Sequence, residues 1–267
     1  MTPLSERSAR VVRAAKLQRR AERTSSGRFL AEGPNLVEAA ARVGVVDEVF
    51  ATESAAQRHR PMLAGLNVSI VTDRAMKTLS ETVTPAGLVG VCSRPSVDLG
   101  GILACTPGLI VIGDEISDPG NAGTLIRLAD AMGAAAVVFS GEAVDPYNGK
   151  CLRSSAGSIF SVPVLLESDT AGLIDRLRGG GIQVLATTLT GELSLDEADG
   201  LLGAPTAWIF GREAQGLPDE IAVLADHRVV IPMSGGIESL NVAVAAAICL
   251  YQSARAQRRR SRPVGLG

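Results

Sequence analysis

Five apolar runs in the second half of the chain constrain its fold more than any other feature. They are LIVIG (109–113), AAVVFS (135–140), IQVLATTL (182–189), AWIFG (207–211) and RVVIP (228–232). Stretches with a helical pattern separate them, and continuous apolar strands that alternate with helices are typical of a parallel sheet covered on both faces. Residues 109–254 are therefore predicted to form an α/β, Rossmann-like domain, in which ligands bind at the carboxyl ends of the strands.

A smaller α/β unit is predicted upstream, over residues 28–94. Three runs have the composition of strands: VDEVFAT (46–52), NVSIVT (67–72) and LVGVCS (88–93). Ahead of them, apolar residues at helical spacing predict an amphipathic helix that ends at a glycine. These residues are Leu36, Ala39, Ala40 and Val43, followed by Gly44. Residues 95–108 are predicted to be a linker between the two units.

Composition indicates a globular protein outside the membrane. The chain has 267 residues, of which 46% are hydrophobic, enough for large buried cores. No run approaches the roughly 18 apolar residues of a membrane span, and the arginine-rich start does not resemble a secretory signal. We therefore expect a cytoplasmic protein with no membrane segment.

The cysteines are expected to be buried thiols, and no metal site is expected. They are Cys92, Cys105, Cys151 and Cys249. They lie far apart in the sequence, outside any CxxC pair, and only His59 and His227 could assist them as metal ligands. Such a pattern favours free buried thiols over disulfides or a metal centre.

The charge is divided unevenly along the chain, although its net value is only −2. Residues 1–28 carry eight Arg or Lys against two Glu, and residues 255–267 carry five Arg and no acid. Arginines and a lysine recur every third residue and would form a cationic stripe on a helix: Arg7, Arg10, Arg13 and Lys16, continued by Arg20 and Arg23. Residues 1–27 and 255–267 are therefore interpreted as a basic extension and a basic tail, which favour a polyanionic partner over merely solvated termini.

The first polar cluster, DEISDPGNAGTLIRLADAMGA, follows the apolar run at 109–113. Asn121 suits a helix N-cap and Gly133 suits the end of the helix. Arg127 lies off the stripe that Leu125, Leu128, Ala129 and Met132 would bury, so its guanidinium is free to bind a phosphate with two hydrogen bonds. Taken alone, the cluster is also compatible with a capped helix and a surface arginine.

The second cluster, WIFGREAQGLPDE, places Glu213 between Gly211 and Gly216. Glycine permits close approach of a ligand to the backbone, and a carboxylate can accept hydrogen bonds from amides or a ribose hydroxyl. The pattern is not the GxGxxG fingerprint of dinucleotide sites, and it is also compatible with an ordinary turn.

The third cluster, IPMSGGIESLNVAVAAA, precedes a helix whose body, VAVAAAICLY, is apolar on every side. Such a helix is buried in a core or in an oligomer interface. Either Ser239 or Asn241 could cap it, but capping explains only one of these two polar residues.

In this order, NxGxxxR, FGxExxGL and IPMxGxxxSLNVxxAxxI resemble the SpoU/TrmH (SPOUT superfamily) RNA ribose 2′-O-methyltransferases over residues 109–254. Upstream, RFLAEGPNLVEAA resembles the start of a ribosomal-protein-like substrate-binding domain found in ribosomal RNA and thiostrepton-resistance-type members. KCLRSSAGSIFSVPV also resembles a family segment and singles out Arg153.

The resemblance implies a deep trefoil knot over roughly residues 206–250, a homodimer that packs through the knot region, and S-adenosylmethionine as cofactor. The residues implied to bind the cofactor are Gly211, Glu213, Gly216, Ile231, Met233, Leu240 and Asn241. Residues 28–94 would select the RNA, with the implied contacts Arg28, Arg153, Arg7, Arg10 and Arg13.

The implied reaction is attack of a ribose 2′-oxygen on the sulfonium methyl group. Arg127 would be the base or, because guanidinium holds its proton tightly, a clamp on the substrate phosphate. Asn121, Glu213, Ser239 and Asn241 would order the catalytic pocket. The preferred target is 23S ribosomal RNA. Transfer RNA, a non-catalytic RNA-binding role and a small-molecule Rossmann enzyme remain alternatives, and the sequence does not separate housekeeping from antibiotic resistance.

Overall fold

A computed structural model describes residues 2–212, 215–236 and 238–260. The chain divides into two compact units, and the first combines Met1–Ser96 with Asp145–Phe160. The second combines Val97–Val144 with Ser161–Gly267. The segment Asp145–Phe160 therefore leaves the second unit, belongs to the first, and then returns.

The elements are named in chain order. The strands are β1 Arg28–Glu32, β2 Val46–Ala51, β3 Val68–Ile70, β4 Leu88–Ser93, β5 Leu109–Asp114, β6 Ala136–Ser140, β7 Val164–Glu167, β8 Gln183–Thr187, β9 Leu193–Ser194, β10 Thr206–Phe210 and β11 His227–Val230. The α-helices are α1 Ala9–Ala15, α2 Arg20–Ser26, α3 Pro34–Arg42, α4 Glu53–Arg58, α5 Asp73–Leu79, α6 Leu99–Ala104, α7 Pro119–Met132, α8 Gly149–Ser155, α9 Thr170–Gly179, α10 Asp199–Leu202, α11 Asp219–Ala222 and α12 Val242–Arg260. Three short 3₁₀ turns lie at Lys16–Gln18, Ser158–Phe160 and Leu195–Glu197.

The first unit is built on a four-stranded mixed sheet of order β1-β4-β2-β3, in which only β2 and β3 are parallel. The three strands predicted here are confirmed. The sequence analysis missed β1, because its RFLAE segment runs directly into the predicted helix. That helix is confirmed as α3, but its buried face carries Val37 rather than Val43, which is 49% exposed.

The first 27 residues are not simply an extension of this unit. Val11, Ala14 and Leu17 are buried in its core, and the helix breaks between α1 and α2. The predicted cationic stripe is broken as well, because Arg23 is buried. Its Nε donates to Asp145 Oδ2 at 2.7 Å, and its Nη1 donates to the carbonyls of residues 17 and 18 at 3.0 and 2.8 Å.

The second unit is confirmed as an α/β fold with a seven-stranded parallel sheet, of order β7-β6-β5-β10-β8-β11-β9. All five predicted strands are present, although IQVLATTL stops being strand at Thr187. The predicted linker at 95–108 contains α6, whose Leu99 is packed in the core of the unit. The helix α12 is not buried on every side, since Val244 is 48% and Tyr251 is 52% exposed.

Three of the four cysteines are buried as predicted, and burial raises the pKa of Cys92 to about 12. The prediction was wrong for Cys105, which is exposed. In the parts of the chain that the structure covers, no group of histidine, cysteine and acidic side chains is arranged to hold a metal ion. None of the helices described is both long and apolar enough to span a bilayer.

We predict that Arg23→Ala destabilises the protein by about 3–5 kcal/mol, because it leaves the Asp145 carboxylate buried without its cation. Urea denaturation of full-length protein measures this change. The matched control is Arg42→Ala, which breaks an exposed pair with Glu38 and is expected to change stability by less than about 1 kcal/mol. Equal losses in both variants would contradict the assignment of Arg23 to the core.

Candidate active site

The first cluster lies at the carboxyl end of β5 and opens α7. The N-cap of this helix is Asp118 and not Asn121, since the N–H of Asn121 donates to Asp118 Oδ1 at 2.9 Å. Pro119 occupies the first helical turn, where its missing N–H costs nothing. The helix ends as predicted at Gly133, which has a left-handed φ of 74°. Asn121 is therefore not needed for capping and its side chain is available for another contact.

Arg127 lies on the side of α7 that faces away from the core, as predicted. The core face of the helix comprises Ala122, Gly123, Leu125, Ile126 and Ala129. The arginine is exposed, and its side chain has no hydrogen bond or ion pair with any residue in the described ranges. Its guanidinium can therefore contact a ligand without first breaking a bond within the described part of the protein.

The first and third clusters meet through two asparagines. The Asn241 side chain caps α12, because its Oδ1 accepts from the Ala243 N–H at 2.9 Å. Its Nδ2 donates to Asn121 Oδ1 at 3.2 Å, across 120 positions of sequence. One side chain thus serves as a cap and as a bridge between the two clusters. Ser239 is exposed, and its side chain makes no hydrogen bond to any described residue.

A cavity of about 500 Å³ lies beside this bridge. It is lined by five of the residues predicted to bind a cofactor, and by one predicted to be catalytic: Gly211, Gly216, Ile231, Met233, Leu240 and Ser239. Asn241 and Arg127 are not among its lining residues. The second and third clusters are therefore brought together around one cavity, while Arg127 lies on the exposed face of a neighbouring helix. Glu213, which was predicted for both roles, lies outside the described residues.

Several lining residues were missed by the sequence analysis. The loop that follows β8 contributes Thr188, Leu189 and Thr190, and the second and third clusters add Arg212 and Leu217. The loop was hidden because its letters continue the apolar run IQVLATTL. Its position after a parallel strand was the available signal, since such loops lie at the ligand-binding edge.

Gly211 is required by the backbone rather than by a ligand. A Cβ at this position would overlap the backbone of Gly216 and Leu217. Gly216 itself has a left-handed φ of 70°, and its N–H donates to the Arg212 carbonyl at 3.0 Å. The two glycines therefore make the tight turn that forms one wall of the cavity.

The residues predicted to bind RNA have different surroundings in the first unit. Arg153 approaches Glu32 and Glu81 at 3.6 and 3.9 Å, and Arg28 pairs with an aspartate at 3.2 Å. Arg10 pairs with Glu48 and donates to Ser69. The stripe residues that are exposed and have no side-chain partner in the described part of the chain are Arg7, Arg13 and Lys16. Only these retain charge that is not already compensated locally.

A parallel α/β unit with polar side chains gathered beside a cavity at its strand ends is the fold of a known methylase family. The SpoU rRNA Methylase family model matches residues 108–251, and the MRM3-like substrate binding domain matches residues 8–90. The first match covers more than half of the chain, which therefore belongs to the SpoU methylase family and carries an amino-terminal substrate-binding domain.

Individual relatives agree with this assignment. The chain is 35% identical to the 23S rRNA (guanosine(2553)-2′-O)-methyltransferase RlmP of Bacillus subtilis, over 88% of this chain and 92% of that protein. It is 34% identical to the 23S rRNA (uridine(2479)-2′-O)-methyltransferase of Streptomyces viridochromogenes, over 70% and 67% of the two chains. The solved AviRb structure from Streptomyces viridochromogenes, in complex with AdoMet, superposes with a TM-score of 0.84 and 30% identity, covering 96% of this chain and 100% of that one.

We predict that the two functions of Asn241 can be separated. Asn241→Asp keeps an acceptor for the helix cap but replaces the donor to Asn121, so we expect near-normal stability and methyl transfer reduced by about tenfold or more. Thermal unfolding and transfer of labelled methyl groups measure the two effects.

The control for this prediction is Thr72→Ala, which removes the cap of α5 in the other unit. It is expected to lower stability by about 1 kcal/mol and to leave methyl transfer unchanged. If Asn241→Asp is fully active, the asparagine bridge has no catalytic importance.

Proposed function

We propose that this chain transfers a methyl group from S-adenosylmethionine to a ribose 2′-hydroxyl of 23S ribosomal RNA. The observation that carries the proposal is the hydrogen bond between Asn121 and Asn241, which joins two family motifs beside the cavity. Relatives that match most of the chain are named as 23S rRNA 2′-O-methyltransferases, and a superposable neighbour was solved with the cofactor. The chain is accordingly an RNA 2′-O-methyltransferase that depends on S-adenosylmethionine.

The cavity fits the cofactor in size and chemistry. Its volume of about 500 Å³ lies within the range of small-molecule sites. Leu217, Ile231 and Leu240 provide apolar walls suited to an adenine ring, while Thr187 and Ser239 provide hydroxyl groups. When bound, S-adenosylmethionine supplies a methyl group already activated by its positively charged sulfur. We propose that Gly211, Gly216, Ile231, Met233 and Leu240 hold it, with Asn241 and Glu213 at its edge.

The protein then has to align the ribose and assist loss of the hydroxyl proton. We propose that Arg127 binds the phosphate beside the target nucleotide and polarises the 2′-oxygen, because an exposed guanidinium can form two parallel hydrogen bonds with phosphate. Its high intrinsic pKa makes the clamp a better role than that of a base. Asn121 and Asn241 fix the start of α7, and Ser239 and Glu213 are assigned to the same pocket.

The substrate proposal favours ribosomal over transfer RNA. The curated relatives that match most of this chain include two named for 23S rRNA. A neighbour named for methylation of C/U34 on tRNA covers only 57% of this chain, with a TM-score of 0.51. The substrate-binding domain matched at residues 8–90 is thus the feature that favours ribosomal RNA.

We propose that the amino-terminal helices add affinity that does not depend on sequence. Arg7, Arg13 and Lys16 are the candidates, because their charges are exposed and have no partner in the described part of the chain. Arg10, Arg28 and Arg153 can contribute only after exchanging an existing carboxylate partner for a phosphate. Their share of the salt-dependent affinity should be smaller.

Three further features are proposed on family grounds. A trefoil knot over residues 206–250 is supported by the return of α12 against α7 and β10. A homodimer is supported by exposed Val244 and Tyr251, which lie seven residues apart on one face of α12; a monomer in light scattering would contradict it. A cytoplasmic location is proposed because the relatives are named for ribosomal RNA.

We predict that Arg127→Ala retains S-adenosylmethionine binding and lowers methyl transfer at least 100-fold, because it removes the phosphate clamp without altering the cavity. Calorimetry and transfer of labelled methyl to ribosomal RNA measure the two quantities. The control is Arg176→Ala, another partly exposed arginine of the same unit, for which we expect normal transfer. Near-normal turnover of Arg127→Ala would remove this residue from the mechanism.

We predict that replacing Arg7, Arg13 and Lys16 together by Gln weakens RNA binding and flattens its salt dependence by about 0.7–0.9 logarithmic units per lost phosphate contact. Substitution is preferable to deletion, because deletion would remove core residues such as Val11. Arg10→Gln is the control and should change the slope less, since Arg10 is already paired with Glu48. An unchanged slope in the triple variant would exclude this surface.

A further inference from the structure

The arginines that line the cavity are both neutralised. Arg212 is held by Glu115, with 2.7 Å between Nη2 and Oε2. Arg228 is held by Glu192, with 2.9 Å between Nε and Oε2. The carboxylates come from different loops, one after β5 and one after β8, so the two pairs arise independently. Neither carboxylate was noticed in the sequence, because each lies far from its arginine along the chain.

Glu192 remains ionised over the whole physiological range. A hydrogen bond from the backbone N–H of Arg228, at 2.9 Å, is the main cause that lowers the pKa of Glu192 to about 2. The contact is close because Gly191 has no side chain, and a Cβ at that position would overlap the Arg228 backbone. The negative charge opposite Arg228 is therefore permanent at neutral pH.

Glu115 reaches Arg212 from an unusual backbone conformation. Its φ is 52°, in the left-handed region that residues other than glycine rarely adopt. Its N–H donates to the Ser140 carbonyl at 2.9 Å, and its side chain lies where a Cβ on Gly141 would be. A partly exposed ion pair adds little stability, so it does not explain why a strained residue is kept here. The strain therefore suggests a role in the cavity.

With both arginines neutralised, acidic charge is in excess around the cavity. Asp219 and Glu238 also line it, and neither has an ion-pair partner in the described ranges. S-adenosylmethionine carries a sulfonium charge that its product, S-adenosylhomocysteine, has lost with the methyl group. The two ligands are otherwise alike in charge, so only the sulfonium is sensitive to the sign of the surrounding potential.

We infer that Glu115 and Glu192 bias the cavity towards the cationic methyl donor and against the neutral product, by cancelling arginine charge that would repel the sulfonium. The inference rests on the proposed function and extends it, because it assigns product release to the charge lost in the reaction. One uncompensated arginine about 8 Å from the sulfonium would change the preference about two- to fivefold at a dielectric between those of protein and water.

Calorimetry with S-adenosylmethionine and with S-adenosylhomocysteine tests this on the full chain. For Glu115→Gln and for Glu192→Gln, we expect the ratio of the donor Kd to the product Kd to rise about two- to fivefold, and the rise to shrink in high salt. The double variant Glu115→Gln with Arg212→Gln should restore the wild-type ratio. Glu167→Gln is the matched control, since it removes one negative charge from an ion pair outside the cavity and should leave the ratio unchanged.

Two results would overturn the inference: an unchanged ratio in both cavity variants, or an equal rise in Glu167→Gln. Because Glu115 and Glu192 lie on separate loops, a folding defect in one variant, detected by circular dichroism, leaves the other as the test. Failure of the proposed function is distinguishable, because the unaltered protein would then bind neither ligand.

Discussion

The position of α12 is the constraint on which the candidate site depends. This helix packs against α7 and β10, where the fully buried Trp208 donates from Nε1 to Ser253 Oγ at 2.8 Å. That packing sets the start of α12 beside the start of α7, so that Asn241 reaches Asn121. Residues from opposite ends of the unit share one site because both helices begin at the same edge of the parallel sheet.

Charge compensation divides the arginines of this protein by role. Arg23 is buried with Asp145 and serves the core, although its spacing places it in the same stripe as Arg7 and Arg13. Arg212 lines the cavity but is neutralised by Glu115, whereas Arg127 has no partner in the described part of the structure. A guanidinium can bind a phosphate or repel a sulfonium only where no carboxylate already occupies it, and this depends on residues distant in sequence.

Much of the fold could be predicted because a parallel sheet buries both faces of its strands. The resulting apolar runs are visible without a structure. The errors have local causes: β1 runs directly into α3, and α6 is hidden in a segment rich in proline and glycine. Asn121 was taken for the cap of α7 although Asp118 and Pro119 form the stronger start signal. Three members of the cofactor cavity were hidden at the end of a run that stops being strand at Thr187.

The sequence by itself determined the class of fold, the order of the three motifs and the residue types available for chemistry, because these depend on local periodicity and on side-chain identity. The tertiary structure decided which residues meet: Asn121 with Asn241, Glu115 with Arg212, and Arg23 with Asp145. These contacts follow from a strand order in which β10 lies between β5 and β8, and from the return of α12. Local patterns carry no record of strand order, since the same apolar run fits any central position of a parallel sheet.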